Sequence, residues 1–360
     1  MTAEPHSVGR GVPAEPPSHP GRTHYFTSGN LLWPLIGLGL LLLFNAAFAR
    51  GFLKFSSEFF HLEILNGRLY GTPVDIFHQG SKVMLLAMGM TLVIATGGVD
   101  LSVGSIMAIT GAVAAVLVNK GQLPLAAIIA TAVGIAGVAG LCNGLLVAIA
   151  GIQPIIATLI LMVAVRGIAM LLTDGQIITI NDPAFVFLGN GQFLGLPFTM
   201  TIVTVVLLAT LAAVRKTAAG LFLEAVGDNE KAARYSGVNT RFVKILAYVY
   251  SGFCAGVAGL IATSNIKAAD SSRVGEMMEL DAIFAVVVGG TALTGGRFTL
   301  IGSIIGALLI QTLTTTMYNF GVAPAVAPVP KALVIIAVCL MQSAAFRRHI
   351  QSFFVRCPTP

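Results

Sequence analysis

Residues 215–244 read RKTAAGLFLEAVGDNEKAARYSGVNTRFVK, the longest polar interruption in the second half of a very apolar chain. The stretch lies between two runs long enough to cross a bilayer, so its reading decides the fold. Its centre, Asn229 to Ser236, predicts a short helix. Asp228 or Asn229 can cap that helix with a side-chain oxygen. Glu230 puts negative charge in the first turn, where the helix dipole favours it. Gly237 supplies the left-handed residue that ends it. A helix of about two turns is not stable alone in water. Something must pack against it, and a second protein is the expectation.

Working outward, the 360-residue chain is 56% hydrophobic and only 10% charged. A soluble globular protein carries about 25% charged residues. With a mean hydropathy of +0.88, the chain reads as an all-α integral membrane protein set in a lipid bilayer. Its formal charge of +6 does not point to nucleic acid, because the basic residues flank apolar runs instead of forming one patch. Of the four cysteines, Cys142, Cys254 and Cys339 lie inside apolar runs, and Cys357 follows them. None has metal-ligand spacing, and no disulfide framework is implied.

Residues 1–30 are rich in Pro, His, Ser and Gly, which predicts a disordered cytoplasmic tail. No cleavable apolar core begins near Met1, so the head does not read as a signal peptide. A membrane domain spans 31–346, and a basic cytoplasmic tail follows at 347–360. Ten apolar runs near the required length predict a bundle of about ten transmembrane helices. They fall at 31–49, 81–97, 103–118, 123–149, 154–172, 197–214, 245–263, 282–295, 299–319 and 331–346. The run at 282–295 is short and Gly-rich, so a broken or re-entrant segment is an open reading. At 97–102 the connection is so short that the break can lie within the membrane. With both ends inside, the inner segments hold twelve Lys and Arg and the outer segments eight. That modest bias puts 215–244 on the cytoplasmic side.

No P-loop motif and no catalytic signature occurs, so nucleotide-driven transport needs a partner. Asp100 is costly in lipid, so it must face protein or water; it can cap the next helix or gate a solute path. Arg166 sits in mid-run, where a functional role and a structural one, an ion pair or contacts with backbone carbonyls, both remain open. Ser102 follows Asp100 in the same break. Asn143, Thr158, Gln176, Asp281 and Thr291 lie near run ends; a sugar path needs hydroxyl and amide partners rather than ions, and the set suits a neutral polar solute. Membrane helices also use such groups to bond one another. The glycines at 134, 137 and 140, and at 252, 256 and 259, line helix faces and allow close approach. The charges of 263–281 can receive a docking protein or simply face solvent.

Four long pieces then add a resemblance: GMTLVIATGGVDLSVGSIMAITGA (89–112), GLCNGLLVAIAGIQPIIATLILMVAVRGIA (140–169), EAVGDNEKAARYSGVNT (224–240) and ELDAIFAVVVGGTALTGGRF (279–298). In this order they are similar to the permease subunits of bacterial ABC sugar importers of the ribose/galactose type. The likeness runs from about residue 75 to 345. The longer, charged loop 50–75, the basic tail and the Pro-rich VAPAVAPVPK (322–331) depart from it.

The resemblance implies an ABC importer permease fold in the inner membrane. It implies that the segment carrying Glu224, Gly227, Asn229, Ala232, Ala233, Ser236 and Gly237 is a coupling helix, laid in a groove of a cytoplasmic ATPase subunit. It also implies a second permease chain, a periplasmic sugar-binding protein and a small sugar as substrate. ATP with magnesium would sit on the partner, and this chain itself would bind no cofactor. Two alternatives belong to other classes. An ion-coupled secondary transporter needs intramembrane carboxylates, and a membrane-embedded enzyme needs a catalytic constellation.

Overall fold

The computed structural model describes residues 28–48, 63–65, 68–323, 326 and 328–342. The expected disordered head before residue 28 and the basic tail 347–360 lie outside the described residues. Each apolar run carries a helix. They are α1 (Ser28–Phe48), α2 (Thr72–Ala95), α3 (Val103–Lys120), α4 (Leu125–Ala148), α5 (Pro154–Leu172), α6 (Pro183–Asn190), α7 (Phe198–Lys216), α8 (Ala219–Asp228), α9 (Glu230–Tyr235), α10 (Thr240–Ile266), α11 (Met278–Val288), α12 (Leu300–Asn319) and α13 (Pro328–Gln342). Among the described residues, six short strands form three antiparallel pairs: β1 (Glu63–Leu65) with β2 (Arg68–Tyr70), β3 (Ile178–Thr179) with β6 (Ala268–Ala269), and β4 (Gln192–Phe193) with β5 (Leu196–Pro197).

Among the described residues, seven helices are long and apolar enough to cross a bilayer: α2, α3, α4, α5, α7, α10 and α12. The apolar runs predict ten. α11 is a helix of only 11 residues, whereas α1 has 21, and α13 is described for 15, up to Gln342. The reading of 282–295 as a broken segment matches α11, which stops at Val288. The next helix does not begin until Leu300.

α10 is the axis of the bundle. It packs against α2, α3 and α4. Its crossing with α4 is antiparallel and glycine-lined: Gly140 abuts the Tyr248 carbonyl and Gly252, and Gly144 abuts Ile245. Gly259 lies against Met107 of α3. Gly134 and Gly137 have no such neighbour, so only part of the small-residue pattern serves this packing. Among small residues, backbones meet closely enough for dispersion and weak polar contacts to hold helices that lipid would solvate equally well. Hydroxyl and amide groups join other pairs. Thr91 Oγ1 donates to Ser303 Oγ at 2.7 Å, linking α2 to α12, and Asn45 Nδ2 donates to Thr316 Oγ1 at 2.6 Å, linking α1 to α12.

Burial is uneven. In α2 and α3, 78% and 72% of the membrane-length window is buried, against 28%, 22% and 17% in α4, α5 and α7. The helical path is also broken in two places. Residues 96–102 separate α2 from α3, and irregular segments flank α11 on both sides. These breaks meet where the first turn of α3, at Gly104, lies against the backbone of Gly275.

Candidate functional site

The polar loop folds as two short helices with a sharp turn between them. α8 buries Gly220, Leu223 and Val226 against the bundle. Asn229 ends α8 with an extended backbone and caps α9, its Oδ1 accepting the Ala232 N–H at 3.0 Å. Gly237, at φ 86°, closes α9; its N–H reaches the Arg234 carbonyl at 3.1 Å, and the Val238 N–H reaches the Ala233 carbonyl at 3.0 Å. Ser236 Oγ donates to the Ala232 carbonyl at 3.0 Å. Lys244 at the start of α10 pairs with Glu230 at 2.6 Å and braces the short helix from the side.

This arrangement divides the expected coupling residues. Asn229, Ala232, Ser236 and Gly237 are exposed, and so is Tyr235, at 90%. Ala233 turns inward and is only 6% exposed, which corrects its expected place on a docking face. The cause is the period of the helix, which sends neighbouring residues to different faces. Gly227 also faces inward, against Ala95 and Gly296. Glu224 is half-buried; burial pushes its carboxyl above the usual range, and Arg297 draws it back.

Inside the bundle, Asp100 is fully buried and fully engaged. Its Oδ1 accepts from the Ser102 N–H at 3.0 Å, the Ser102 hydroxyl at 2.6 Å and Asn143 Nδ2 at 3.2 Å. Its Oδ2 accepts from the Ser251 hydroxyl at 2.8 Å. The expected cap of α3 is displaced by one step. The bonded N–H belongs to Ser102, the residue that precedes the helix, instead of to its first turn. Thr158 lies on the same knot from α5, its hydroxyl 2.9 Å from the Pro154 carbonyl and 3.4 Å from that of Val99. Four expected residues, Asp100, Ser102, Asn143 and Thr158, therefore converge on one turn.

The others are scattered. Arg166 reaches the second break and donates from Nη1 to the carbonyls of Ser271 at 3.1 Å, Ser272 at 3.3 Å and Val274 at 2.7 Å. Asp281 forms an ion pair with Lys331 at 2.9 Å, tying α11 to α13. Thr291 is buried after α11, where its hydroxyl oxygen accepts the Thr299 N–H at 3.3 Å. Gln176 is exposed beyond the end of α5. In the loop before α11, Asp270 Oδ1 accepts from the Ser272 hydroxyl at 2.6 Å and from the N–H groups of Ser272 and Arg273 at 3.1 Å. Those bonds, the Ser272 hydroxyl first, hold its carboxyl below the usual range. The described residues contain no group of three or more His, Cys, Asp or Glu able to hold a metal ion.

Sequence reasoning missed Ser251, Tyr248 and Lys331. Tyr248 OH points at the Val99 carbonyl, 3.5 Å away. Ser251 lies 151 residues from Asp100 in a run where serine is ordinary. Only the charge of Lys331 at the head of the last apolar run, set against Asp281 at the head of another, offered a usable signal.

Comparison with known proteins gives a consistent result. Residues 72–341 match the family described as branched-chain amino acid transport system / permease component. Among curated proteins, the galactofuranose transporter permease protein YtfT of Escherichia coli (strain K12) is 47% identical over 320 residues, covering 87% of this chain and 91% of the relative. The fructose import permease protein FruF of Bifidobacterium longum is 39% identical over 88% of each chain. The ribose import permease protein RbsC of Escherichia coli (strain K12) is 38% identical over 75% of this chain and 84% of the relative. With these matches spanning both breaks and the loop between α7 and α10, the chain belongs to the branched-chain amino acid transport system / permease component family.

Proposed function

We propose that this chain is the membrane permease of an ATP-driven importer that carries a monosaccharide of the galactofuranose, galactose or ribose kind across the bacterial inner membrane. The relatives named above are sugar permeases despite the family's amino-acid title, and that supports the substrate class. One structural observation carries the mechanism. Between two membrane helices stands a capped six-residue helix whose outer face is exposed and whose inner face is anchored on the bundle. A helix so short is held by what it packs against, and an exposed helical face of this kind fits a groove on a partner.

In this reading the groove belongs to a cytoplasmic ATPase subunit that holds ATP and magnesium. Asn229, Ala232, Ser236 and Gly237 line the docked face, with Tyr235 beside them. Glu224, Gly227 and Ala233 support it from within. A periplasmic binding protein delivers the sugar at the opposite end. A second permease chain, identical or related, covers the poorly buried side formed by α4 and α5 and shares the path. ATP binding and hydrolysis move the ATPase, and the helix passes that motion to the bundle as a rigid-body shift.

Asp100 and Asp281 are the carboxylates that an ion-coupled transporter would need. Asp100 is occupied by protein donors and Asp281 by Lys331, which favours the ATP-driven reading. Ala232→Trp tests that reading. The bulky ring is expected to cut co-purification of the ATPase and sugar-stimulated ATP hydrolysis by about tenfold or more, as loss of a well-packed contact does. The variant should still insert. Unchanged values for both would overturn the docking assignment, as would labelling of a Lys231→Cys variant from the periplasmic side.

A further inference from the structure

We infer that Gly227, Gly295 and Gly296 form a backbone junction that fixes the ATPase-facing loop to the 96–102 break and to the turn between α11 and α12, and so serve as positioning residues for coupled transport. The inference rests on the coupling role proposed for α9. It begins from Gly227, one residue before the end of α8 and two before the cap of α9. A side-chain carbon at Gly227 would run into the Ala95 carbonyl oxygen and the Gly296 amide nitrogen. Ala95 is the last residue of α2, where carbonyls lose their helical partners. One of these, that of Ala95 itself, is recovered from outside, by the Gly296 N–H at 2.9 Å.

Gly295 completes the contact. A side-chain carbon there would lie 2.9 Å from the Gly97 nitrogen and 3.1 Å from the Gly227 carbonyl oxygen. Three chain segments therefore touch through main-chain atoms. They are the end of α8, the end of α2 leading into the 96–102 break, and the turn between α11 and α12. Side chains can swing between rotamers and absorb a push. Backbone in direct contact cannot, because close-packed interiors transmit displacement. A shift of α9 thus reaches the 96–102 break and the turn after α11 through main-chain contacts alone. Gly227 is helical, so its role is space alone. By contrast Gly237 has a positive φ, and a side-chain carbon there would meet nothing within 4 Å.

The test uses the full transporter, with its ATPase and binding protein, reconstituted in liposomes and supplied with radiolabelled galactose, ribose and fructose. Its readout is sugar moved per ATP hydrolysed, a ratio that simple loss of folded protein leaves constant. Gly227→Leu is expected to lower that ratio by about tenfold, within the range that coupling energies span, while the ATPase remains bound. Gly121→Ala, just after α3, also has a positive φ and meets nothing within 4 Å, so it adds backbone strain without crowding and should leave the ratio near wild type. A second measurement covers the case where Gly227→Leu fails to assemble. Asp228→Cys with Gly296→Cys, in a background lacking the native cysteines, places the two Cβ atoms about 3.9 Å apart, within disulfide reach. Locked by oxidation, a junction that moves as one body keeps its ratio. Loss of transport on locking, restored by reductant, would overturn the inference. So would a Gly227→Leu complex that assembles with an unaltered ratio. Absence of ATP-dependent uptake in the wild-type complex would instead defeat the importer reading itself.

Discussion

The two breaks in the bundle are held by opposite means. At 96–102 an acidic side chain sits inside and collects donors: Asp100 takes hydrogen bonds from the turn itself, from α4 and from α10. At 270–274 a cation reaches in from α5 and collects acceptors: Arg166 donates to three carbonyls of the turn. The first side chain is fully buried, whereas the second lies on a helix that is mostly uncovered. The difference teaches where tolerance lies. Irregular backbone at membrane depth needs its polar groups met from within the protein. A buried acidic side chain has no substitute for its donors, whereas a partly exposed guanidinium can turn to other acceptors. The knot should therefore be rigid and the loop adjustable.

The largest effect is expected at Asp100. Asp100→Ala orphans the hydroxyls of Ser102 and Ser251 and an amide hydrogen of Asn143, at about 1–3 kcal/mol for each group left unpaired. A drop in the unfolding midpoint in detergent and poor recovery from the membrane are the measurements, with Asp100→Asn falling between the variant and wild type. If Asp100→Ala unfolds at the wild-type temperature, the contrast between the two breaks collapses.

Arg166 comes second. Arg166→Ala should cost about 1–2 kcal/mol, less than three charge-assisted bonds would suggest, because water can replace a partly exposed donor. Arg166→Lys should recover part of that loss, having one charged head but no planar fork. A loss equal to that of Asp100→Ala, in the same unfolding assay, would show that the loop is as tightly held as the knot.

The smallest effect concerns pH. The Asp270 carboxyl is held below its ordinary range, so its turn is favoured at neutral pH. That support is complete above the unfolded carboxylate pKa and fades as pH falls through the lower folded value. Between about pH 5 and pH 2 the unfolding midpoint should fall slightly less steeply in Asp270→Asn than in wild type. Identical slopes would mean that the turn contributes nothing measurable.

Much of this molecule is legible in its residues. The cap at Asn229, the stop at Gly237 and the brevity of α9 follow from local chemistry, which operates within a turn or two of helix. The apolar runs locate helices because hydrocarbon imposes a length, although α11, with eleven residues, falls short of a full crossing. What stays hidden depends on neighbours far along the chain. Nothing at Ser251 announces a bond to Asp100, and nothing at Gly227 distinguishes a tertiary contact from an ordinary helix glycine. The alternation of Ala232 and Ala233 between outside and inside is within reach of helical periodicity, and it becomes plain once the bundle shows which side is covered.

The shortness of α11 has a consequence for how the chain is made. Eleven residues rise about 16 Å, roughly half the thickness of a hydrocarbon core. Its far end leaves carbonyls that oil would not tolerate, and they are tolerated only beside a wall of protein. The segment is therefore stable at that depth only beside α2 and α12, the helices it packs against most, and its insertion is expected to depend on theirs.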